Sequence, residues 1–580
     1  MSQPVEPNAP FLPKFSKVSD IEEFVSMLEK FEKGELTNDA FRAFRLTRGV
    51  YGQRQDGVQM LRVKVPMGLL GKEQLDAFAE VADTYAHGIG HITTRQNLQF
   101  HFMKMEDAEP AMRICDKAGL TTREACGNSV RTVIACENAE ICDGAPFDVT
   151  PYAEALTRYF LRHPLAATLP RKFKVAFSGC PDDCARGAIN DIGFVAQVKD
   201  GEVGFKILAA GGLSTSPQAA ITLHDFVPAK DVSRVGESIL RMFDALGNRQ
   251  NRERARLKYV LKKLGEEGFR AKYAEFRAQV DAEAKADLLP VESPKRTPAP
   301  PVESDHVANE RGPGYLAWRA DAVVDQRQPG YVAVHIRLPL GDLTSAQMRG
   351  IGNLLSKYGD GSARITVDQN ILIPWVDVKS LPAIHKDLAA LDLAKLGRAT
   401  ASDVTACPGA SSCNLAITSS KTLATAISNR LEKEDAKSLS AAATASIKIS
   451  GCSHSCGQHH VADLGWHGAA KHAFGKEGPS VPVYQLHLGG GVDERGARFG
   501  RQVVKITAKR VPDAVVTLLK LFDTEKTEGQ TVSQFFETID PKKVIAALAG
   551  QTGPYEPGDE IDIAQSTGFL VETRDGECAA

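Results

Sequence analysis

The chain repeats itself at an almost constant offset, and this duplication limits its possible folds more than any other feature. Arg62-Val-Lys-Val-Pro66-Met-Gly68 aligns with His335-Ile-Arg-Leu-Pro339-Leu-Gly341 at an offset of 273. The same offset brings Arg95-Gln96-Asn97-Leu98 onto Asp368-Gln369-Asn370-Ile371. Cys136 and Cys142 meet Cys407 and Cys413 at 271, and Cys180 and Cys184 meet Cys452 and Cys456 at 272. Asp191-Ile-Gly193-Phe194 then meets Asp463-Leu-Gly465-Trp466, again at 272. The repeating unit, about 230 residues, is too long for a solenoid repeat. The chain therefore reads as a pseudo-twofold tandem duplication.

Within each copy the pattern is mixed, predicting an α+β fold. Val58 to Val65 alternates as a strand does, Leu75 to Ala86 has helical spacing, Ile92 to Phe102 is again strand-like, and a helix follows near Ala108 to Ala118. That order suits a ferredoxin-like half-domain. A larger α/β module follows, with a helix over Pro151 to Arg162 and a strand over Phe173 to Ser178 running into a cysteine pair. The expected divisions are a wrapping segment at 1–44, a half-domain at 45–120, a module at 121–280, a linker at 281–310, a second half-domain at 311–396, a second module at 397–550 and a tail at 551–580. The linker is rich in Pro, Ala and charge. Arg252 to Val280, charged and alanine-rich, predicts one or two exposed helices.

Composition narrows the function. Lys and Arg number 70 against 72 Asp and Glu, a net charge of −2, which argues against a nucleic-acid or anionic-membrane surface while leaving room for a local basic pocket. No apolar run is long enough for a bilayer, and Met1 to Phe15 lacks the pattern of a secretory signal, so a cytoplasmic protein is expected. In that setting thiols stay reduced, and eight of the 11 cysteines fall into close pairs.

Each unit carries C-x5-C, a gap of about 40 residues, then C-x3-C. Four thiolates on two loops suit a [4Fe–4S] cube, which takes one cysteine per iron. Structural zinc competes, but its pairs are usually closer than x5. Gly179, Gly451 and Gly457 sit beside the cysteines, where the backbone must approach sulfur.

The cysteine pattern, with Thr94-Arg95-Gln96-Asn97-Leu98-Gln99 and Leu169-Pro170-Arg171-Lys172-Phe173-Lys174, resembles the sirohaem-dependent sulfite and nitrite reductases over roughly residues 45 to 545. The resemblance implies that the large modules bind sirohaem and iron–sulfur cofactors. It places the catalytic cluster on Cys407, Cys413, Cys452 and Cys456, with Cys456 also reaching the sirohaem iron. Sulfite or nitrite would bind the open haem face and take six electrons, giving sulfide or ammonia. The anion pocket falls on Arg95, Arg131, Lys172 and Lys174, where arginine's planar fork suits an oxyanion and lysine more readily gives up a proton. Arg54, Gln96, Gln99, Arg171 and Asn190 are the candidate partners of the macrocycle's carboxylates.

The repeat supplies an internal control. Arg95, Arg131, Lys172 and Lys174 correspond to Asp368, Ser402, Thr444 and Ser446, so the second unit loses all four cations. One complete site is expected, with unit-one cations over the haem tied to Cys456. Cys136, Cys142, Cys180 and Cys184 are candidates for a second cluster, facing a pocket where Asp368 would repel an anion. Six histidines between 454 and 487 are irregularly spaced, which favours surface or cofactor-edge roles over a separate metal site.

Lys174 favours sulfite over nitrite, since the family's nitrite-reducing members tend to carry asparagine there and sulfite can carry the higher charge. A corrin-ring hydroxylase or a non-catalytic electron carrier would not need the full cation set. No flavin module or convincing dinucleotide motif is visible, so the electron donor is expected to be a separate ferredoxin or flavoprotein reductase.

Overall fold

The computed structural model describes residues 12–283, 298–302, 312–434, 439, 442–472, 478–563, 565–571 and 577. The expected linker lies mostly outside the described residues.

The first half-domain carries strands β1 (Val50–Gly52), β2 (Gln59–Val63), β3 (Leu69–Gly71), β4 (Ile89–Ile92) and β5 (Leu98–Met103). The first module carries β6 (Ile134–Ala135), β7 (Val175–Ser178), β8 (Ile192–Lys199), β9 (Glu202–Ala209) and β10 (Ile221–Pro228). The second copy repeats both sets. Its half-domain has β11 (Val323–Asp325), β12 (Tyr331–Ile336), β13 (Asp342–Thr344), β14 (Ser362–Ile365) and β15 (Ile371–Asp377). Its module has β16 (Thr405–Ala406), β17 (Ile447–Ser450), β18 (Leu464–His472), β19 (Ser480–Leu488), the small hairpin β20 (Gly491–Asp493) and β21 (Gly496–Arg498), and β22 (Arg501–Thr507).

The half-domains exchange a strand. One sheet runs β1-β2-β5-β4-β13 and the other β11-β12-β15-β14-β3, so each is completed by the other copy. Leu343 pairs with Gly90 and Leu70 with Ala363. The helices Lys72–Tyr85 and Ser345–Leu355 pack together, and one continuous core contains Phe78, Phe100, Met348 and Ile365 from both copies. The modules match each other as well. β6-β7-β8 and β16-β17-β18 are parallel, and each is extended by antiparallel strands. Their cores are separate, around Phe177, Phe194 and Phe205 in one and Trp466, Tyr484 and Phe522 in the other.

Two local expectations need correction. Ile92 to Phe102 is two strands, β4 and β5, joined by a tight turn. Thr93 Oγ1 accepts the N–H of Arg95 and of Asn97, and Gln96 adopts φ 55°. The segment Leu257–Glu283, two helices joined at Gly265 (φ 71°), is not merely exposed, because Leu257, Val260, Leu261, Phe269 and Tyr273 are buried. Among the described residues, parts of the N-terminal and C-terminal segments are held against the body. Phe24 and Phe41 are buried, Asp562 accepts the Ser419 N–H at 2.9 Å, and Glu577 caps Gly52 N at 2.5 Å. Among the described residues, no helix is long and apolar enough to cross a membrane.

Candidate active site

The β4–β5 turn projects Arg95 from unit one towards the first module. Its guanidinium donates to Asn190 Oδ1 at 2.7 Å and to Thr132 O at 2.8 Å. Burial, then the nearby Arg131 and Arg256, lowers Arg95 to about 9, so it stays charged at neutral pH. Gln96, fully buried, is a brace: its amide donates to Ala135 O and Ile365 O and accepts from Ala135 N. Gln369 does the same in the other copy, donating to Ile92 O and accepting from Ala406 N. Gln99 lies opposite Arg62 in the β2–β5 register and is buried.

Lys172 and Lys174 flank Phe173, which forms a parallel bridge with Val130, while Arg131 N donates to Phe173 O at 2.8 Å. The approach to β7 therefore places three of the four expected cations on adjoining backbone. Lys174 N donates to Asp191 Oδ2, and Asp191 is fully buried against Arg256, 2.7 Å away. Burial first, then Arg95, Arg256 and Lys172, push the Lys174 ammonium well below the usual lysine range, with Asp191 pulling the other way. Arg131 reaches Ala125 O and Gly127 O, and Arg171 reaches Asn128 Oδ1. Asn190, besides holding Arg95, donates to Arg186 O at 2.7 Å.

Arg256 and Lys258 belong to this charged neighbourhood and are missed by motif reading. Lys258 Nζ donates to Leu213 O and Ser216 O, and burial with Arg256 nearby lowers it to about 7. They come from the start of a helix far along the chain, and only the fold brings them to Asp191.

The second-unit cysteines face this recess. Thr94 Oγ1, beside Arg95, donates to Cys456 O at 3.1 Å. His454, between Cys452 and Cys456, is lowered by burial and then by Lys172 and Arg171. Arg54 N donates to Ser412 O and its guanidinium to Cys413 O and Ala416 O, so it holds the first cysteine loop. Cys407 Sγ accepts the Gly451 N–H at 3.2 Å. Burial, then Cys456, Cys407 and Cys413, raises the Cys452 thiol, so the four sulfurs act on one another across the two loops. Burying such a set as anions is costly without cations between them, which fits an iron–sulfur centre. The facing recess gathers Arg95, Lys172, Lys174 and Arg256 around Asp191, and Arg95 Nε is buried with no hydrogen-bond partner. That surplus of buried positive charge fits a carboxylate-rich macrocycle and a small oxyanion.

The first-unit cysteines also converge. The Cys184 thiol is hydrogen-bonded to Cys136 and Cys180, and Gly144 sits beside the sulfurs of Cys142 and Cys180. Next to this set is a cavity of about 760 Å³, lined by Cys142, Arg186, Asp368, Thr444, Ser446 and Lys448 among others. Here the expectation of a repelling Asp368 is corrected. Its carboxylate is paired with Lys448 at 2.6 Å and with Arg186, which hold it far below the usual range against the effect of burial. These cations arise at positions the repeat alignment does not pair with the lost ones.

The family model described as the nitrite and sulphite reductase 4Fe-4S domain matches residues 126–280 and 398–550, and the nitrite/sulfite reductase ferredoxin-like half domain matches 51–118 and 324–391. The ferredoxin–nitrite reductase of Leptolyngbya laminosa is 31% identical over 77% of this chain and 83% of its own length. The sulfite reductase [ferredoxin] 1 of Mycolicibacterium paratuberculosis is 26% identical over 86% of this chain and 88% of its own. The solved structure of the Mycobacterium tuberculosis NirA protein superimposes with a TM-score of 0.73 at 25% identity, covering 90% of this chain and 96% of that one. With these matches spanning both copies of the repeat, the chain belongs to the nitrite and sulfite reductase family, whose cofactors are sirohaem and a [4Fe–4S] cluster.

Proposed function

We propose that the protein is a ferredoxin-dependent sulfite reductase, converting sulfite to sulfide with six electrons. The observation that carries this reading is the cation-rich recess of unit one facing the Cys456 loop of unit two, with Lys174 deep within it. In this reading Cys407, Cys413, Cys452 and Cys456 would hold the cluster, with Cys456 also serving the sirohaem. The coupled cofactors, when bound, supply electrons one at a time to the anion.

The chain's own groups bind the anion and move protons. Arg95 and Arg131 hold the oxyanion's oxygens with fixed donors, Arg95 remaining charged at neutral pH. Lys172 and Lys174 supply protons at Nζ, and each departing oxygen leaves as water. A lysine whose ammonium is strongly destabilised gives up its proton readily, and an entering dianion restores the charge balance that favours reprotonation. Arg256 and Asn190 position Asp191 and Arg95, while Arg54 fixes the Cys413 loop. Gln96 also braces the scaffold through Ala135 and Ile365, and Gln96, Gln99 and Arg171 are assigned to the macrocycle's carboxylates. The donor is a reduced ferredoxin, as the names of the relatives suggest, and the protein works in the cytoplasm.

Nitrite fits the same recess with less charge, and ferredoxin–nitrite reductases are among the relatives. Steady-state kinetics with reduced ferredoxin, sulfite and nitrite measured side by side, separates the two. The proposal expects the higher kcat/KM for sulfite; a clear preference for nitrite would assign the site to nitrite reduction.

A further inference from the structure

Behind the turn that follows Cys456, four histidines of unit two pack ring against ring. His459 and His460 lie on the short helix His459–Val461, His467 on β18 and His487 on β19. Gly465 pairs with His487, so His467, two residues on, shares a sheet face with His487. Ring centroids are 4.7 Å apart for His459 and His487, and 4.9 Å for His459 and His467 and for His467 and His487. His467 Nδ1 lies 2.7 Å from His487 Nε2. His459 is fully buried, and neither of its ring nitrogens has a hydrogen-bond partner. His460 is engaged elsewhere, its Nε2 at 2.9 Å from Ser214 O.

The duplicated unit shows what this place needs when it is only core. By the repeat offset His460 and His467 correspond to Ala188 and Val195, and by strand register His487 corresponds to Leu208, which pairs with Gly193 as His487 pairs with Gly465. Ala188, Val195 and Leu208 form a small apolar cluster. His459 corresponds to Gly187. The same fold thus fills one site with aliphatic side chains and the other with imidazoles. Burying imidazole nitrogens without hydrogen-bond partners is unfavourable, so packing alone does not account for them.

We propose that His459, His467 and His487 bind a divalent transition-metal ion, zinc in the first instance, at a site separate from the iron centres. Their ligand atoms all lie within 4.8 Å of one another, and among the described residues no other trio of His, Cys, Asp or Glu does the same. Modest ring rotations bring them to Zn–N bonds of about 2.0–2.1 Å. A ligand set of nitrogen alone selects zinc and its transition-metal neighbours against calcium or magnesium, which take oxygen. Burial lowers His467 to about 4 and His487 to about 3, so both are in the neutral form that ligates. The ion would tie the turn three residues beyond Cys456 to the central strands of the module.

The test is zinc content of the full holoprotein, incubated with one equivalent of zinc chloride, desalted and analysed by mass spectrometry beside iron. Wild type should retain about one zinc per chain, with X-ray absorption showing nitrogen ligands at about 2.0–2.1 Å. H467V/H487L, which installs the residues of unit one, should retain essentially none while keeping the haem absorbance. Should that variant fail to fold, H487Q decides. Equilibrium dialysis with radioactive zinc should then show binding at least about tenfold weaker than wild type, as expected for loss of one first-row-metal ligand. Wild type without stoichiometric zinc, or zinc held equally by wild type and the foldable variants, overturns the proposal.

Discussion

In the proposed function, substrate choice turns on Lys174. Its ammonium sits among Arg95, Arg256 and Lys172 and is opposed chiefly by Asp191. Lys174→Asn removes the charge and leaves a side chain that still donates hydrogen bonds, so the loss should be larger for the more highly charged substrate. A charge-assisted hydrogen bond is worth about 1.5–3 kcal/mol, which predicts a loss of about tenfold to a hundredfold in kcat/KM for sulfite and a smaller one for nitrite. Equal losses on the two substrates would remove Lys174 as the discriminator. Cys456→Ser should abolish sulfite turnover and uncouple the electronic spectra of haem and cluster, because a serine oxygen is a poor bridge to soft iron. A variant with coupled spectra and turnover would move the bridge to another residue. The motif cations were legible in the sequence because each lies in a recognisable run. Arg256 and Lys258 were not, because their runs carry no motif and their meaning comes only from meeting Asp191, Leu213 and Ser216 in space.

At the scale of elements, the two Pro-x-Gly turns lock the half-domains together. Gly68 has φ +71°, and a Cβ there would lie 2.6 Å from Ile365 O of the other copy; Gly341 has φ +70° and would meet Ile92 O at 2.7 Å. Those two carbonyls are also the acceptors of Gln96 and Gln369. Gly201 has φ +81° in a hairpin, with nothing within 4 Å of its added Cβ. Both Gly68→Ala and Gly201→Ala incur the left-handed backbone cost, about 1–2 kcal/mol, but only Gly68→Ala also crowds a backbone carbonyl. Calorimetry should show a larger drop in unfolding temperature for Gly68→Ala. Equal drops would mean that the interface between the copies yields freely. The repeated Pro-x-Gly is plain in the sequence. The strand exchange it supports is not, because a three-residue strand carries no signal of which sheet it joins.

At the scale of the molecule, duplication has produced two pseudo-equivalent sites with different surroundings. Unit-one cations face the second cysteine set, and the first cysteine set adjoins the cavity that contains Asp368, Arg186 and Lys448. The convergence of Cys136, Cys142, Cys180 and Cys184 supports a second cluster. Anaerobically prepared protein should then hold about nine irons per chain, eight in two clusters and one in the haem. Cys180→Ala should lower this by about four and spare the haem spectrum; about five irons in both would show the first set to be empty. The sequence by itself determined the duplication, the α+β class, the cysteine sets and the loss of four cations between copies, since each is written in residue type and spacing. Only the tertiary structure decided the exchanged strands, the neutralisation of Asp368 by cations remote in sequence, and the clustering of His459, His467 and His487. These depend on which side chains share a buried volume, where one removed charge or one added ring nitrogen must be answered by a neighbour that no local pattern specifies.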